Sequence, residues 1–289
     1  MLNRLARRIV RLFHASNPQG DAPEYSVHPP GLTFLTDVTG GRWVEDGLSS
    51  SHPGSVGVLV PGGFGAYARV LHPAWDASDR MVRWSAVTTW SGRVYHPQMS
   101  FEGISSPTAE YGVGAPPWRG DPNHGSLDEE MVAELLPLLA QFTGTPEECY
   151  FGVWEGYGQY SGGSAMLTSD GRTRALGIPR DVRQAQRVRG VGLHYLLYTG
   201  RLEQIAEFYS NFLSEPPNIW WPADRTWFVA TDIDLDSTYI GASQQCIDAL
   251  LIHPALEAVP AEYRASVAMT ADTINLDDLN GQGTWPATP

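Results

Sequence analysis

Three carboxylates spaced by two, Asp232, Asp234 and Asp236, close the aromatic-rich run NIWWPADRTWFVATDIDLDSTYIGAS, residues 218–243. In an extended strand that spacing puts all three on one face with Phe228 and Ala230, and Trp227, Val229, Ile233 and Leu235 on the other. Such carboxylates repel one another unless water or a hard cation such as Mg²⁺ or Ca²⁺ bridges them, so one chemistry the pattern offers is a metal-assisted, hydrolase-like site. The plainer expectation is a half-buried strand whose solvent face turns acidic where Asp236, Ser237 and Thr238 make a bend. The run is not an EF-hand loop, because Ser237 stands at the sixth position, where glycine is required, and Ser243 at the twelfth, where a bidentate glutamate is required.

A second set of residues offers anion chemistry. The stretch GRTRALGIPRDVRQAQRVRG, residues 171–190, carries Arg172, Arg174, Arg180, Arg183, Arg187 and Arg189 against a single acid, Asp181. Arg183 and Arg187 fall one helical turn apart and, with Arg180, form a candidate clamp for a phosphate or carboxylate. A solvated loop balancing an acidic body explains the same run without a ligand. Ten tryptophans add a ligand-wall reading, since exposed rings stack on sugar faces. Trp220 and Trp221 are adjacent, so an extended chain turns them to opposite sides and at least one is expected at the surface; most of the others belong in the core.

Other signatures are missing or fail in context. GFGAYA, residues 63–68, formally fits a dinucleotide-binding GxGxxA, but Pro73 follows too soon for the three-turn helix such a site needs. No GxSxG elbow, HExxH helix or HxE with CxxC occurs. All 19 basic residues are arginine, and a chain without lysine forms no Schiff base and has no P-loop or kinase lysine. The net charge of −13 argues against nucleic acid as a partner and for one that is basic, neutral or small. Cys149 and Cys246 suggest neither a disulfide framework nor a zinc site, and no apolar run reaches the roughly 20 residues that cross a bilayer, so a reducing cytoplasm is expected.

The elements that must position these groups read as follows. Residues 1–14 predict an amphipathic helix with Leu2, Leu5, Ile9 and Leu12 on one face and Arg4, Arg7, Arg8 and Arg11 largely on the other. That helix is an arm for a partner or a peripheral contact with the inner face of the membrane; a terminal helix docked on its own body, or an organellar presequence, fits the same pattern. Residues 15–30 read as a linker, and 31–289 as one globular domain, with two lobes divided near 105–125 as a variant. GLTFLTDV, SVGVLVPG, MVRWSAVTTW, GRVYHPQM, YFGVWEGY, GVGLHYLLYTG and TWFVATDID predict strands; AYARVLH, LDEEMVAELLPLLAQF, RLEQIAEFYSNFL and SQQCIDALLIH predict helices. Ser126 with Glu129 forms a capping box for the second of these, and Pro137 is expected to kink it. The irregular order of elements favours an α+β fold with mixed or antiparallel sheets and packed helices. Five of eight histidines, His28, His52, His72, His96 and His253, precede proline and read as punctuation at helix ends.

The run NIWWPADRTWFVATDIDLDSTYIGAS, with PGGFGAYARVLHPA and YFGVWEGYG, resembles a group of uncharacterised hypothetical proteins from GC-rich actinobacteria. The resemblance implies a bacterial cytoplasmic protein and carries over no activity, cofactor or catalytic residue. The function expected is that of a non-enzymatic acidic binding protein, inhibitory or immunity-like, with a protein partner and no cofactor. The alternative is a metal-assisted enzyme that uses Asp232, Asp234 and Asp236 with Mg²⁺ or Ca²⁺ and holds its substrate by Arg183 and Arg187.

Overall fold

A computed structural model of the chain describes residues 27–48, 52–162, 177–210 and 215–275, and the backbone of 165–167 and 173–175. The expected N-terminal helix with Arg4, Arg7, Arg8 and Arg11, most of the expected linker, and Arg172 lie outside the described residues. The strands are β1 (Thr33–Leu35), β2 (Ala66–Leu71), β3 (Ala74–Trp75), β4 (Met81–Val82), β5 (Cys149–Trp154), β6 (Ala165–Leu167), β7 (Thr173–Ala175), β8 (Val188–Arg189), β9 (His194–Gly200), β10 (Ile219–Pro222), β11 (Phe228–Thr231), β12 (Ser237–Ala242) and β13 (Ala258–Ala261). The α-helices are α1 (Arg42–Gly47), α2 (Trp84–Ser91), α3 (Phe101–Ser105), α4 (Glu129–Ala140), α5 (Gly158–Ser161), α6 (Arg180–Gln184), α7 (Ala206–Ser210) and α8 (Gln244–Leu251). The fold is mixed α+β with antiparallel pairing, as the order of elements predicts. No helix among the described residues is long and apolar enough to cross a membrane.

The chain forms two compact units, Met1–Asp46 with Thr143–Arg225, and Gly47–Phe142 with Thr226–Pro289. Residues 105–125 therefore lie wholly within the second unit.

In the first unit β9 pairs with β1, β5 and β8, and β10 pairs with β5. Leu196, Leu197 and Tyr198 on β9 are buried, so both faces of that strand are covered, and Phe151 and Val153 bury one face of β5. Val27 is already buried and the His28 ring lies 4.6 Å from Phe34, so ordered packing begins before Gly31, earlier than the linker reading allows.

In the second unit the strand order is β11-β12-β2-β13. Pro260 falls in the outermost strand, β13, where a residue without an N–H leaves no central ladder broken. Helix α8 packs on β2, β12 and β13 and against α4; Ser243 caps it by accepting from the Cys246 N–H at 3.3 Å. A core of Leu71, Trp84, Val87, Met99, Ile104 and Trp118 fills one side of this unit.

Several local expectations are overturned. AYARVLH is strand β2, because pairing with β12 on one side and β13 on the other outweighs the helix propensity of its Ala, Arg and Leu. MVRWSAVTTW contributes only β4 and then becomes α2, in which Trp84, Val87, Thr88 and Ser91 are buried at helical spacing. Its first turn is capped from afar: Glu257 accepts the N–H groups of Trp84 and Ser85 at 2.6 and 2.8 Å. Gly92 ends α2 at φ +70°, in the left-handed region, with its N–H on the Thr88 carbonyl at 2.9 Å. SVGVLVPG holds a 3-10 turn, Val56–Val58, and GRVYHPQM forms no strand. Helix α4 starts at Glu129 behind Asp128, so the Ser126 capping box does not form; the Asp128 carboxylate is bound by Asn123 Nδ2 at 2.7 Å. The 106–128 connection is long but anchored, with Trp118 in the core, Gly120 bridged to Trp75, and the Gly125 N–H donating to Leu235 at 3.1 Å.

Candidate functional site

Strand β2 alternates. Ala68 and Val70 are fully buried on one face, while Tyr67, Arg69 and Leu71 fall on the other. An arginine at the centre of a covered strand must have each N–H answered or carry a large desolvation cost. Arg69 is 9% exposed, and its Nε donates to Ser237 Oγ at 2.9 Å. Its Nη1 donates to the carbonyls of Pro97 and Met99 at 3.2 and 2.7 Å, and its Nη2 lies 3.4 Å from Asp236 Oδ1. The guanidinium also lies 5.2 Å from the centroid of the Trp84 ring. Register puts Tyr239 of β12 and Val259 of β13 directly beside it.

A fully buried, neutral histidine, His72, follows β2. Its Nδ1 lies 2.6 Å from the Asn123 carbonyl and so carries the proton, which leaves Nε2 to accept from Thr238 Oγ1 at 2.9 Å. Thr238 is then free to accept from Thr231 Oγ1 at 2.6 Å. Burial pushes the His72 pKa down to about 4 despite the Asn123 bond and the charge of Asp236.

A second histidine-proline pair of this unit completes the cluster. His96 Nε2 lies 3.0 Å from Oδ1 of Asp272, whose side chain is fully buried. The same carboxylate accepts from the N–H groups of Ser100 and Asn275, both at 2.9 Å, and from Asn275 Nδ2 at 3.1 Å. Burial opposes ionisation of Asp272, but these bonds outweigh it and hold its pKa below the ordinary value.

Arg69, His96, Asp236 and Tyr239 line a cleft of about 510 Å³ in the second unit, with Glu262 and Arg264 on its wall. This volume lies within the roughly 300–1,000 Å³ usual for small-molecule sites. The cleft holds a neutralised ion pair, a histidine oriented by a buried carboxylate, and an aromatic ring. The two hydroxyls that touch its carboxylates are already committed. Ser100 Oγ caps α3 through the Gly103 N–H at 3.0 Å, and Ser237 Oγ donates to Asp236 at 3.0 Å while accepting from Arg69.

The aspartates named from sequence do not line one strand face. Strand β11 ends at Thr231, and residues 232–236 form the hairpin turn into β12, which destroys the period-two alternation. Asp232 Oδ1 accepts the Asp234 N–H at 3.0 Å, an Asx turn, and Asp236 is the partner of Arg69. Asp234 and Asp236 border the cleft, whereas Asp232 does not. Among the described residues no group of three or more His, Cys, Asp or Glu is placed to hold a metal ion.

The arginine clamp is not assembled either. Helix α6 ends at Gln184, before Arg187, whose Nε donates to Glu155 at 2.7 Å, while Arg180 and Arg183 occupy exposed positions on it. Asp181, the lone acid of that stretch, pairs with His28 at 2.9 Å instead. His28 Nδ1 lies 3.1 Å from the Tyr198 hydroxyl, which donates to Tyr160 at 3.5 Å, so the first unit contains an Asp-His-Tyr chain. Burial raises the pKa of both tyrosines, which makes them poor nucleophiles.

The ligand-wall expectation fails for a different reason: Trp220 and Trp221 do face opposite ways on β10, but both sides are covered, leaving them 1% and 0% exposed. Trp221 stacks on Tyr150 with centroids 5.6 Å apart and meets Trp43 edge-on at 5.9 Å. The residues missed from sequence are Arg69, His72, His96 and Asp272. The signal present was the histidine-proline pair, because a residue before proline is held extended and its side chain is aimed by a restrained backbone.

No family model, curated protein or solved structure matches the chain.

Proposed function

We propose that the protein is a non-enzymatic binding protein whose ligand enters the cleft of the second unit. The observation that carries this reading is Arg69, a guanidinium held on a central strand by four protein acceptors and still bordering an open cleft. A core strand gains nothing in stability from such a residue over an apolar one of similar volume, so a buried, fully positioned charge beside a cavity suits recognition. Binding is favoured over catalysis because Ser100 and Ser237 have their hydroxyls engaged, leaving His96 without a serine to activate at those carboxylates. The acidic chain, a bacterial cytoplasmic setting and an inhibitory or immunity-like role with a protein partner belong to the same reading, in which a neutral or basic partner is preferred.

The test is thermal melting of the purified full chain against small neutral, acidic and basic solutes at millimolar concentration. A ligand at about 100 times its Kd adds roughly 2.7 kcal/mol, a rise of a few degrees for a chain of this size. The rise is expected to vanish in Ala268→Trp, which places an indole at the exposed rim of the cleft. A rise that persists in that variant locates the ligand elsewhere and defeats the reading.

A further inference from the structure

Resting on the cleft as the binding site, its polar floor identifies the class of ligand. Asp236 uses Oδ1 for both Arg69 and Ser237, and its Oδ2 makes no hydrogen bond among the described residues. Arg69 commits Nε, both hydrogens of Nη1 and one of Nη2, so one Nη2 hydrogen has no acceptor among the described residues. Both side chains border the cleft and are only slightly open, 11% for Arg69 and 13% for Asp236. The floor thus presents a donor and an acceptor side by side, from a pair whose charges cancel.

That cancellation selects against charged ligands. A carboxylate or phosphate brought to Arg69 meets Asp236, and an ammonium brought to Asp236 meets Arg69; in each case a like charge opposes entry. The wall adds one charge of each sign in Glu262 and Arg264, and Asp234 at the border adds a further carboxylate that opposes anions. A neutral group with a donor and an acceptor on neighbouring atoms satisfies both without a net charge. Vicinal hydroxyls do this, because each hydroxyl both donates and accepts and so adapts to a guanidinium and a carboxylate 3.4 Å apart. His96, held by Asp272 through Nε2, has Nδ1 for a third hydroxyl, and the exposed Pro97 and Met269 offer apolar surface to the C–H face of a ring.

We propose that the cleft binds a small neutral polyol of sugar size, with adjacent hydroxyls on Arg69 Nη2 and Asp236 Oδ2.

Saturation-transfer NMR and calorimetric titration of the full chain test this with D-glucose, D-galactose, D-mannose, D-ribose and myo-inositol, beside acetate, inorganic phosphate, ethylamine and acetamide. Saturable binding of at least one polyol is expected, weakened about tenfold or more in Asp236→Ala, with acetate or phosphate binding gained there because Arg69 loses its counter-charge. The wild-type titration decides even where Asp236→Ala does not fold. Wild-type binding of acetate, phosphate, ethylamine or acetamide in place of polyols overturns the polyol assignment while leaving the cleft as a binding site, provided Ala268→Trp abolishes it. Polyol binding unaffected by Ala268→Trp overturns both the assignment and the cleft reading, as does silence across the whole panel.

Discussion

His72 Nδ1 lies 2.6 Å from the backbone carbonyl of Asn123, a contact that fixes the tautomer of a wholly buried imidazole. The other nitrogen then accepts from Thr238, and the chain of hydrogen bonds is complete only while His72 is neutral. Protonation puts a second donor where Nε2 must accept.

Stability should therefore depend on pH through this residue. The His72 pKa falls from the ordinary 6.5 to about 4 on folding, with burial as the main cause. Below pH 6.5 the unfolded chain takes up a proton that the folded chain refuses until about pH 4, so stability falls as pH drops through that window and this group adds no further loss below it. The full effect is on the order of 3 kcal/mol, at about 1.4 kcal/mol for each pH unit across that window. Urea unfolding at pH 7.5 and 4.5 measures it; His72→Gln should be less stable at pH 7.5 and show a flatter pH profile. An equal slope in both proteins rules out His72 as the source.

Asp272 should be among the least replaceable residues of the second unit. In Asp272→Asn an amide nitrogen must take the place of an oxygen that now accepts N–H donors from Ser100 or Asn275, setting donor against donor in a dry site. A loss of about 2–4 kcal/mol is expected in chemical denaturation. Because its folded pKa is depressed, the carboxylate contributes stability above the ordinary 3.8 and loses it as pH falls through the lower folded value. A cost under about 0.5 kcal/mol, the usual scale for surface changes, sinks this account.

Glu257 acts at the start of α2 without being part of it. Glu257→Ala should cost about 1–2 kcal/mol by removing acceptors from the Trp84 and Ser85 N–H groups, and amide exchange at those two residues should quicken. Unchanged exchange there shows that water replaces the carboxylate at no cost.

The two thiols should be inert in the folded protein. Burial pushes both Cys149 and Cys246 up to about 12, and the carboxylate charge of Asp224 adds to it at Cys149. Titration with a disulfide reagent at pH 8 should label neither until denaturant is added, then both. Labelling at a rate independent of denaturant contradicts the packing.

Arg187→Ala should change little. Its partner Glu155 is 36% exposed and also meets His194 at 3.2 Å, so solvent screens the pair and the expected cost is below about 1 kcal/mol. Binding of inorganic phosphate should be the same before and after the change. A large loss of phosphate affinity revives the arginine clamp.

Sequence alone determined the α+β class, because irregular strand and helix signals follow from local periodicity, and it found β5, β9, α4 and α8, where side-chain alternation and burial agree. It also determined which chemistries a lysine-free chain excludes. It could not decide AYARVL, since a strand flanked on both sides is recognised by its neighbours rather than its own propensity, nor α2, whose cap is Glu257, 173 residues away. The three aspartates illustrate the same limit. Spacing of two means one face only while the chain stays extended, and the turn after Thr231 sent Asp232 to its own backbone and Asp236 to Arg69. Arg69, His96 and Asp272 come from separate segments of the chain, so only the pairing of β2 with β12 and the return of the segment after β13 set Arg69 and His96 on one cleft with Asp272 behind His96. Contacts between distant residues depend on loop closure and burial, which no local pattern encodes.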